Sequence, residues 1–374
     1  MPERAVYFLE AALPADLPGV SPRTPGTPFP FWGTYALFDF AFASLRGLAR
    51  ESCSLVCDSR DRQAVVQATS RWGRNAVRVR DAENGLDELR RLAASERARS
   101  IVVSSLSYAA YIDPRELEGA LVGALPRRVR VDSSPMPLYL LPREALLEAL
   151  EQAARRDPDE GGSLRGFLYG YLPSIVREHA DLNGRVFFLD SAMQIWDAHH
   201  YLRDNLGMGR ASLYLDALAG AQQPTAEAHI GADGSVKDSL VASGALVEGS
   251  VTDCVLFPGV VVRPGAVVRQ CVIMTGNRIG AGATVANTLI LPYQQELNGE
   301  ADTVGEGAEI GDTRNVMNTR NDDFPRQIAR GLTLIGMNAS VPPNMNVGTG
   351  CYIGPGSGNV LRGMKKLARG ASVR

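Results

Sequence analysis

Residue types capable of metal or nucleophilic chemistry are few in this 374-residue chain, and their spacing restricts what they can do. Two of the four histidines, His199 and His200, are adjacent in IWDAHHYL. They lack the i, i+4 spacing that puts two imidazoles on one helical face, so the expectation is a pair on a helix surface rather than a metal site. The cysteines, Cys53, Cys57, Cys254, Cys271 and Cys351, form no CxxC or Cys/His pattern, and their odd number suits reduced thiols in a cytoplasmic protein. A third concentration of charge, TRNDDFPRQIARG at 319–331, mixes arginines with aspartates. It reads as a solvated loop. The alternative is a contact with a neighbouring subunit or a small anionic effector, which arginine can grip through its planar fork.

The whole chain has a formal net charge of −2, with no basic excess of the kind that nucleic acid or a membrane surface selects. The N-terminal MPERAVYFLEAALPADLPG has acidic residues interrupting any apolar run, so no signal peptide is expected, and no stretch is apolar enough to span a membrane.

From residue 229 onward the sequence repeats. VKDSLV (236–241), VTDCVL (251–256), VRQCVI (268–273) and VANTLI (285–290) align as one unit, and Ile335, Val341, Val347 and Ile353 recur at every sixth position. A period of six fits neither an amphipathic helix nor an ordinary strand. It fits a left-handed parallel β-helix, in which three hexapeptides of one strand and one corner each make a triangular turn. Aliphatic residues then stack inward, about 4.8 Å apart along the axis. Glycines and small residues such as Ala266, Ala283 and Ser340 take the bends. Cys254 and Cys271 occupy equivalent positions and are expected as stacked core residues. The repeat is expected to break at 292–331 and resume at Leu332. An acyltransferase on such coils would need a histidine base, and the only one near them is His229, at their start.

The first part alternates strand-like and helix-like segments: VYFL (6–9), CSLVC (53–57), LDELRRLAASERAR (86–99), IVVSS (101–105), PLYLL (137–141) and a helix after Pro142. Such alternation implies an α/β sheet with a mainly parallel core. QIWDAHHYLRDNL and ASLYLDALAG read as further helices. The expected division is 1–219, a linker at 220–228, and 229–374.

Residues 30–44, PFWGTYALFDFAFAS, resemble the P-F-G-G-K-Y-R-I-I-D-F-x-L-S-N segment of bacterial ADP-glucose pyrophosphorylases, matching at Pro30, Phe31, Gly33, Tyr35, Asp39 and Phe40. SLVCDSRDRQAVVQATSRWG resembles the strand and helix that follow in that family. The resemblance implies an α/β nucleotidyltransferase-like domain with a Rossmann-like mixed sheet, then a left-handed parallel β-helix of hexapeptide repeats. It also implies transfer of an adenylyl group to glucose 1-phosphate with Mg²⁺. That chemistry needs a backbone cradle for phosphates, carboxylates for the metal and cations for the building charge.

Set against that pattern, the chain is worn. EAALPADLPGVSPRTPG replaces the glycine-rich loop, and its prolines remove amide donors. Ser107 stands where the resemblance puts one metal aspartate and Phe188 where it puts the other, with Asp190 as a substitute if the register slips. No counterpart of the sugar-phosphate E-K-P segment is found. PMPLY keeps Met136 and Tyr139 but has Pro135 in place of serine, and Ala36 replaces an effector-site arginine. Pro30, Phe31, Gly33, Tyr35, Asp39, Met136 and Tyr139 are thus expected as remnants of a substrate pocket, with Asp39 on a strand and ordering local backbone. The resemblance is closest to the non-catalytic, regulatory-type subunit. No cofactor is expected, or Mg²⁺ if the chain is active. The expected partner is a catalytic paralogue in a tetramer, or a further copy of the chain. The alternatives are a divergent active nucleotidyltransferase and a non-enzymatic assembly scaffold.

Overall fold

A computed structural model describes residues 4–9, 17–20, 29–33, 35–45, 53–73, 77–81, 85–106, 108–112, 114–120, 126–156, 163–205, 227–295, 301–312 and 318–374. Residues 220–226 of the linker expected at 220–228, and the helix expected over ASLYLDALAG, lie outside the described residues. The N-terminal part runs β1 (Arg4–Leu9), β2 (Pro30–Trp32), β3 (Tyr35–Ala36), α1 (Leu37–Leu45), β4 (Cys53–Cys57), α2 (Arg62–Thr69), β5 (Arg78–Asp81) and α3 (Gly85–Ser95). It continues with β6 (Ser100–Ser105), β7 (Tyr108–Ile112), α4 (Pro114–Ala120), β8 (Arg127–Val131), β9 (Ser134–Pro142) and α5 (Arg143–Ala153). A compound helical segment follows, α6 (Leu164–Gly166), a π-helical turn (Phe167–Tyr171) and α7 (Leu172–Ile175), then β10 (Glu178–Leu182), β11 (Gly184–Phe188) and α8 (Ala192–Asn205).

Seven strands form one sheet in the order β10-β8-β9-β6-β1-β4-β5. β1 pairs parallel with β4 and β6, whereas β9 runs antiparallel to both β6 and β8. Alternation along β1 assigns its side chains to two cores: Val6 and Phe8 join one, Ala5, Tyr7 and Leu9 the other. All five are buried, so both faces are covered, as a mainly parallel sheet requires.

The hexapeptide register is met residue for residue. Val236 pairs with Val251, Val251 with Val268, and Val268 with Val285. Ile335 pairs with Ile353, one turn later. The third residue of each aligned unit, Asp238, Asp253, Gln270 and Asn287, has a positive φ between 46° and 61°. Aspartate and asparagine reach this left-handed corner at less cost than most residues, which explains their recurrence there. Cys254 and Cys271 are buried free thiols, with the Cys271 N–H 3.4 Å from Cys254 Sγ.

The break expected across 292–331 is narrower. Glu309–Ile310 pairs with Thr284–Val285 on one side and Asn346–Val347 on the other, and Val304 bridges Ile279 and Val341. Val304 and Ile310 are six apart and each precedes a glycine, so this polar-looking stretch is a further piece of coil. Nor is 319–331 simply a solvated loop. Ile328 is buried, and Asn321, 1% exposed, donates to the carbonyls of Gly350 and Gly370 at 3.0 and 2.9 Å while its own Oδ1 receives the N–H groups of Asp323 and Phe324.

That bracket helps join the two parts. Met193 N–H donates to Gln327 O at 3.2 Å, Arg330 pairs with Asp197 at 2.6 Å, and Arg203 pairs with Asp253 on the coil. Leu17–Val20 forms a second tie. Gly19 N–H donates to the Tyr352 hydroxyl at 3.1 Å, and Gly19 O accepts from Met337 N–H at 2.7 Å. Gly19 has φ +87°, and an added Cβ would stand 2.9 Å from a Leu291 methyl and 3.0 Å from one of Leu334.

Two substitutions separate stack from surface. Ile353→Ala should cost about 2–5 kcal/mol in denaturant unfolding, because it opens a cavity in the stack. Val360→Ala, at a side chain 56% exposed, should stay within about 0.5 kcal/mol.

Candidate functional site

In open α/β sheets ligands bind beyond the carboxyl ends of parallel strands. Here the last residues of β1, β4 and β6, Leu9, Cys57 and Ser105, are all completely buried. Two hydrogen bonds secure the β6 end: Ser104 Oγ lies 2.9 Å from the Tyr108 hydroxyl, and Ser105 Oγ lies 2.9 Å from that of Tyr169. Neither tyrosine was singled out in the sequence, because each takes its partner from another element.

β7 and β11 form an antiparallel ribbon in which Tyr108 lies opposite Phe188. Phe188 is half-buried. Ser107 lies outside the described residues, immediately before Tyr108. The ribbon therefore draws together the ends of the two strands to which the resemblance assigns metal aspartates. Of the side chains described there, Tyr108 and Phe188 carry no carboxylate, the ligand that magnesium, a hard cation, selects along with other oxygen donors. Asp190 is exposed, and its N–H donates to Gln194 Oε1 at 2.8 Å, in the turn that starts α8. Among the described residues no three His, Cys, Asp or Glu side chains gather as a metal site.

Most of the expected pocket remnants are packed into the protein. Gly33, with φ +58°, makes the turn between β2 and β3. Pro30 is half-buried, whereas Phe31, Tyr35 and Asp39 are buried. Asp39 sits near the start of α1, not on a strand, as the first turn of LFDFAFASL. Its Oδ2 accepts from Ala36 N–H at 2.7 Å and from Arg71 Nη1 at 2.9 Å, and its Oδ1 accepts from Trp72 Nε1 at 2.6 Å. Burial pushes this carboxyl up, and the three donors only partly oppose it. Arg71 also lies over the Tyr35 ring, 5.4 Å from its centroid. One carboxylate thereby locks the β2–β3 hairpin and α1 to the end of α2. This was half-legible: the Asp39 segment and the Arg71–Trp72 segment were both matched, but not as partners.

Met136 and Tyr139 are three apart on β9 and fall in different cores. An odd spacing on a strand sends side chains to opposite faces, so the two cannot line one pocket. The Tyr139 hydroxyl donates to Leu168 O at 2.8 Å, and Arg128 Nε donates to Met136 O at 2.9 Å.

His199 and His200 are buried rather than on a helix surface, at 0% and 7% exposure. α8 is covered by the β2 hairpin on one side and the coils on another, which leaves its histidines no solvent face. His199 Nδ1 lies 2.6 Å from Ile195 O and its Nε2 lies 2.6 Å from Phe31 O. Its ring also packs on Phe31 and on Phe257 of the β-helix. Burial lowers His199 to about 4, outweighing the upward pull of the two carbonyls, and lowers His200 to about 3, assisted by Arg203 and His199.

An α/β sheet of nucleotidyltransferase type carrying a left-handed β-helix is the class that this geometry defines. Residues 224–318 match a family model described as the GlmU-like C-terminal hexapeptide. The chain is 35% identical over 133 residues to a glucose-1-phosphate adenylyltransferase of Acetivibrio thermocellus, a match covering 35% of this chain and 29% of that relative. It is 27% identical over 173 residues to the enzymes of that name from Bacillus cereus and Bacillus anthracis, covering 44% of each chain. The chain thus spans less than half the length of the curated relatives it matches. Over the matched stretches the chain is similar to the glucose-1-phosphate adenylyltransferases.

Two outcomes follow from the buried polar groups. Asp39→Ala removes the acceptor of Trp72 Nε1 and Arg71 Nη1 and should cost about 2–4 kcal/mol in chemical unfolding. Because both histidines titrate below their usual value of about 6.5, the unfolded chain takes up protons first as pH falls. Their contribution is complete above about 6.5 and is lost toward the folded values. The melting temperature should therefore drop between pH 6.5 and 4, and less steeply in His200→Gln. An equal drop in both proteins would remove His200 from the account.

Proposed function

We propose that this chain is a regulatory, catalytically silent or weak subunit of glucose-1-phosphate adenylyltransferase in bacterial glycogen synthesis, acting in the cytoplasm. The single observation that carries this reading is the Tyr108–Phe188 ribbon end, where the resemblance assigns metal carboxylates and an aromatic side chain stands in β11. Adenylyl transfer depends on electrostatic stabilisation of phosphoryl oxygens, and loss of one such element typically lowers turnover by orders of magnitude. The buried strand ends and the scattering of Met136 and Tyr139 to opposite faces support it further.

In this reading the chain joins a catalytic paralogue in a tetramer and changes that partner's turnover or its response to an effector. It does so through contacts that differ between the partner's states, since equal contacts would shift nothing. The test is an assay of the purified chain with ATP, Mg²⁺ and glucose 1-phosphate, alone and after co-expression with an intact paralogue. The expected outcome is at least about 10²-fold lower turnover alone than the paralogue gives, with co-purification and altered paralogue kinetics. Turnover alone equal to that of the paralogue would overturn the reading in favour of a divergent active enzyme. Failure to co-purify or to alter kinetics would favour an assembly scaffold.

A further inference from the structure

β5 ends the seven-stranded sheet, and among the described residues β4 is the only strand paired with it, through Ser54 with Arg78 and Leu55 with Val79. On its outer side no other described strand pairs with it, and an edge of this kind presents backbone groups to which a strand can add. α2 runs beside this edge, and an open groove of about 570 Å³ lies between them. Arg62, Val66 and Thr69 of α2 line one wall, Val77, Arg78 and Val79 the other. Val66 is 42% exposed although it faces this groove, and none of the described lining residues is acidic. A strand edge flanked by a helix, with an apolar floor and cationic rims, has the form of a β-augmentation groove.

We propose that the groove between α2 and β5 docks an extended segment of a partner protein in which acidic and aliphatic residues alternate, added to the sheet as an eighth strand. Alternation matches the pleat: aliphatic side chains enter the groove over Val66 and Val79, and acidic ones, on the other face of the added strand, meet Arg78 and the exposed Arg80. Charge decides against a second copy of this edge, which would set Arg78 and Arg80 against their own kind. Arginines on an edge strand also guard against aggregation. Guarding alone gives no reason for an exposed valine across the groove. The inference is independent of the regulatory reading, because it concerns the far edge of the sheet and not the ribbon end.

The test uses the full-length chain and a fluorescein-labelled synthetic peptide of alternating glutamate and valine, followed by anisotropy. Binding is expected, weakening as salt rises, and absent for the lysine–valine counterpart. Val66→Glu, a change at an exposed position, should weaken binding by at least about tenfold, and so should N-methylation of alternate peptide amides, which removes strand hydrogen bonds. Circular dichroism of Val66→Glu checks that the variant is folded. Equal binding by the N-methylated peptide would reduce the effect to charge adhesion and overturn the proposal. So would the absence of binding, or self-association of the chain, by sedimentation, that Val66→Glu abolishes.

Discussion

The wholly buried imidazole of His199 lies 2.6 Å from two carbonyl oxygens, one in its own helix and one in the β2 hairpin, while its ring packs on Phe257 of the first coils. A polar ring is costly to bury without a partner, and the neutral imidazole finds one by donating its single N–H to one of these carbonyls. Satisfying that ring fixes the helix against both halves of the chain. One continuous apolar core then runs from Val6 of the central strand to Val373 of the last coil.

The motif that first resembles a substrate pocket serves this joint. Phe31 presents its carbonyl to His199 and its ring to Phe40 and Phe187. Asp39, instead of facing a ligand, spends both oxygens on Ala36, Arg71 and Trp72. Leu17–Val20, from the stretch that replaces the glycine-rich loop, is held by Tyr352 and Met337 of the coils. In this chain these residues are engaged in packing the two parts together.

The β-helix was legible because its constraint is local: each rung needs an inward aliphatic residue every sixth position. The coil at Val304 and Ile310 was missed only because acidic corner residues masked the same period. The N-terminal elements were legible from alternation, but their environment was not. His199 and His200 look like a surface pair when α8 is read alone, since the hairpin and coil that bury them are distant in sequence. Asp39 looks like a strand residue when its aromatic neighbours are weighed by propensity. Its role as a first-turn acceptor depends on Arg71 and Trp72, more than thirty residues later.

The central claim, that the ribbon end no longer serves metal-dependent phosphate chemistry, is tested most directly by calorimetric titration of ATP into the full-length chain with Mg²⁺ and then with a chelator. The account predicts the same heat and affinity in both conditions. Binding that requires Mg²⁺ and is lost in Asp190→Asn would contradict it.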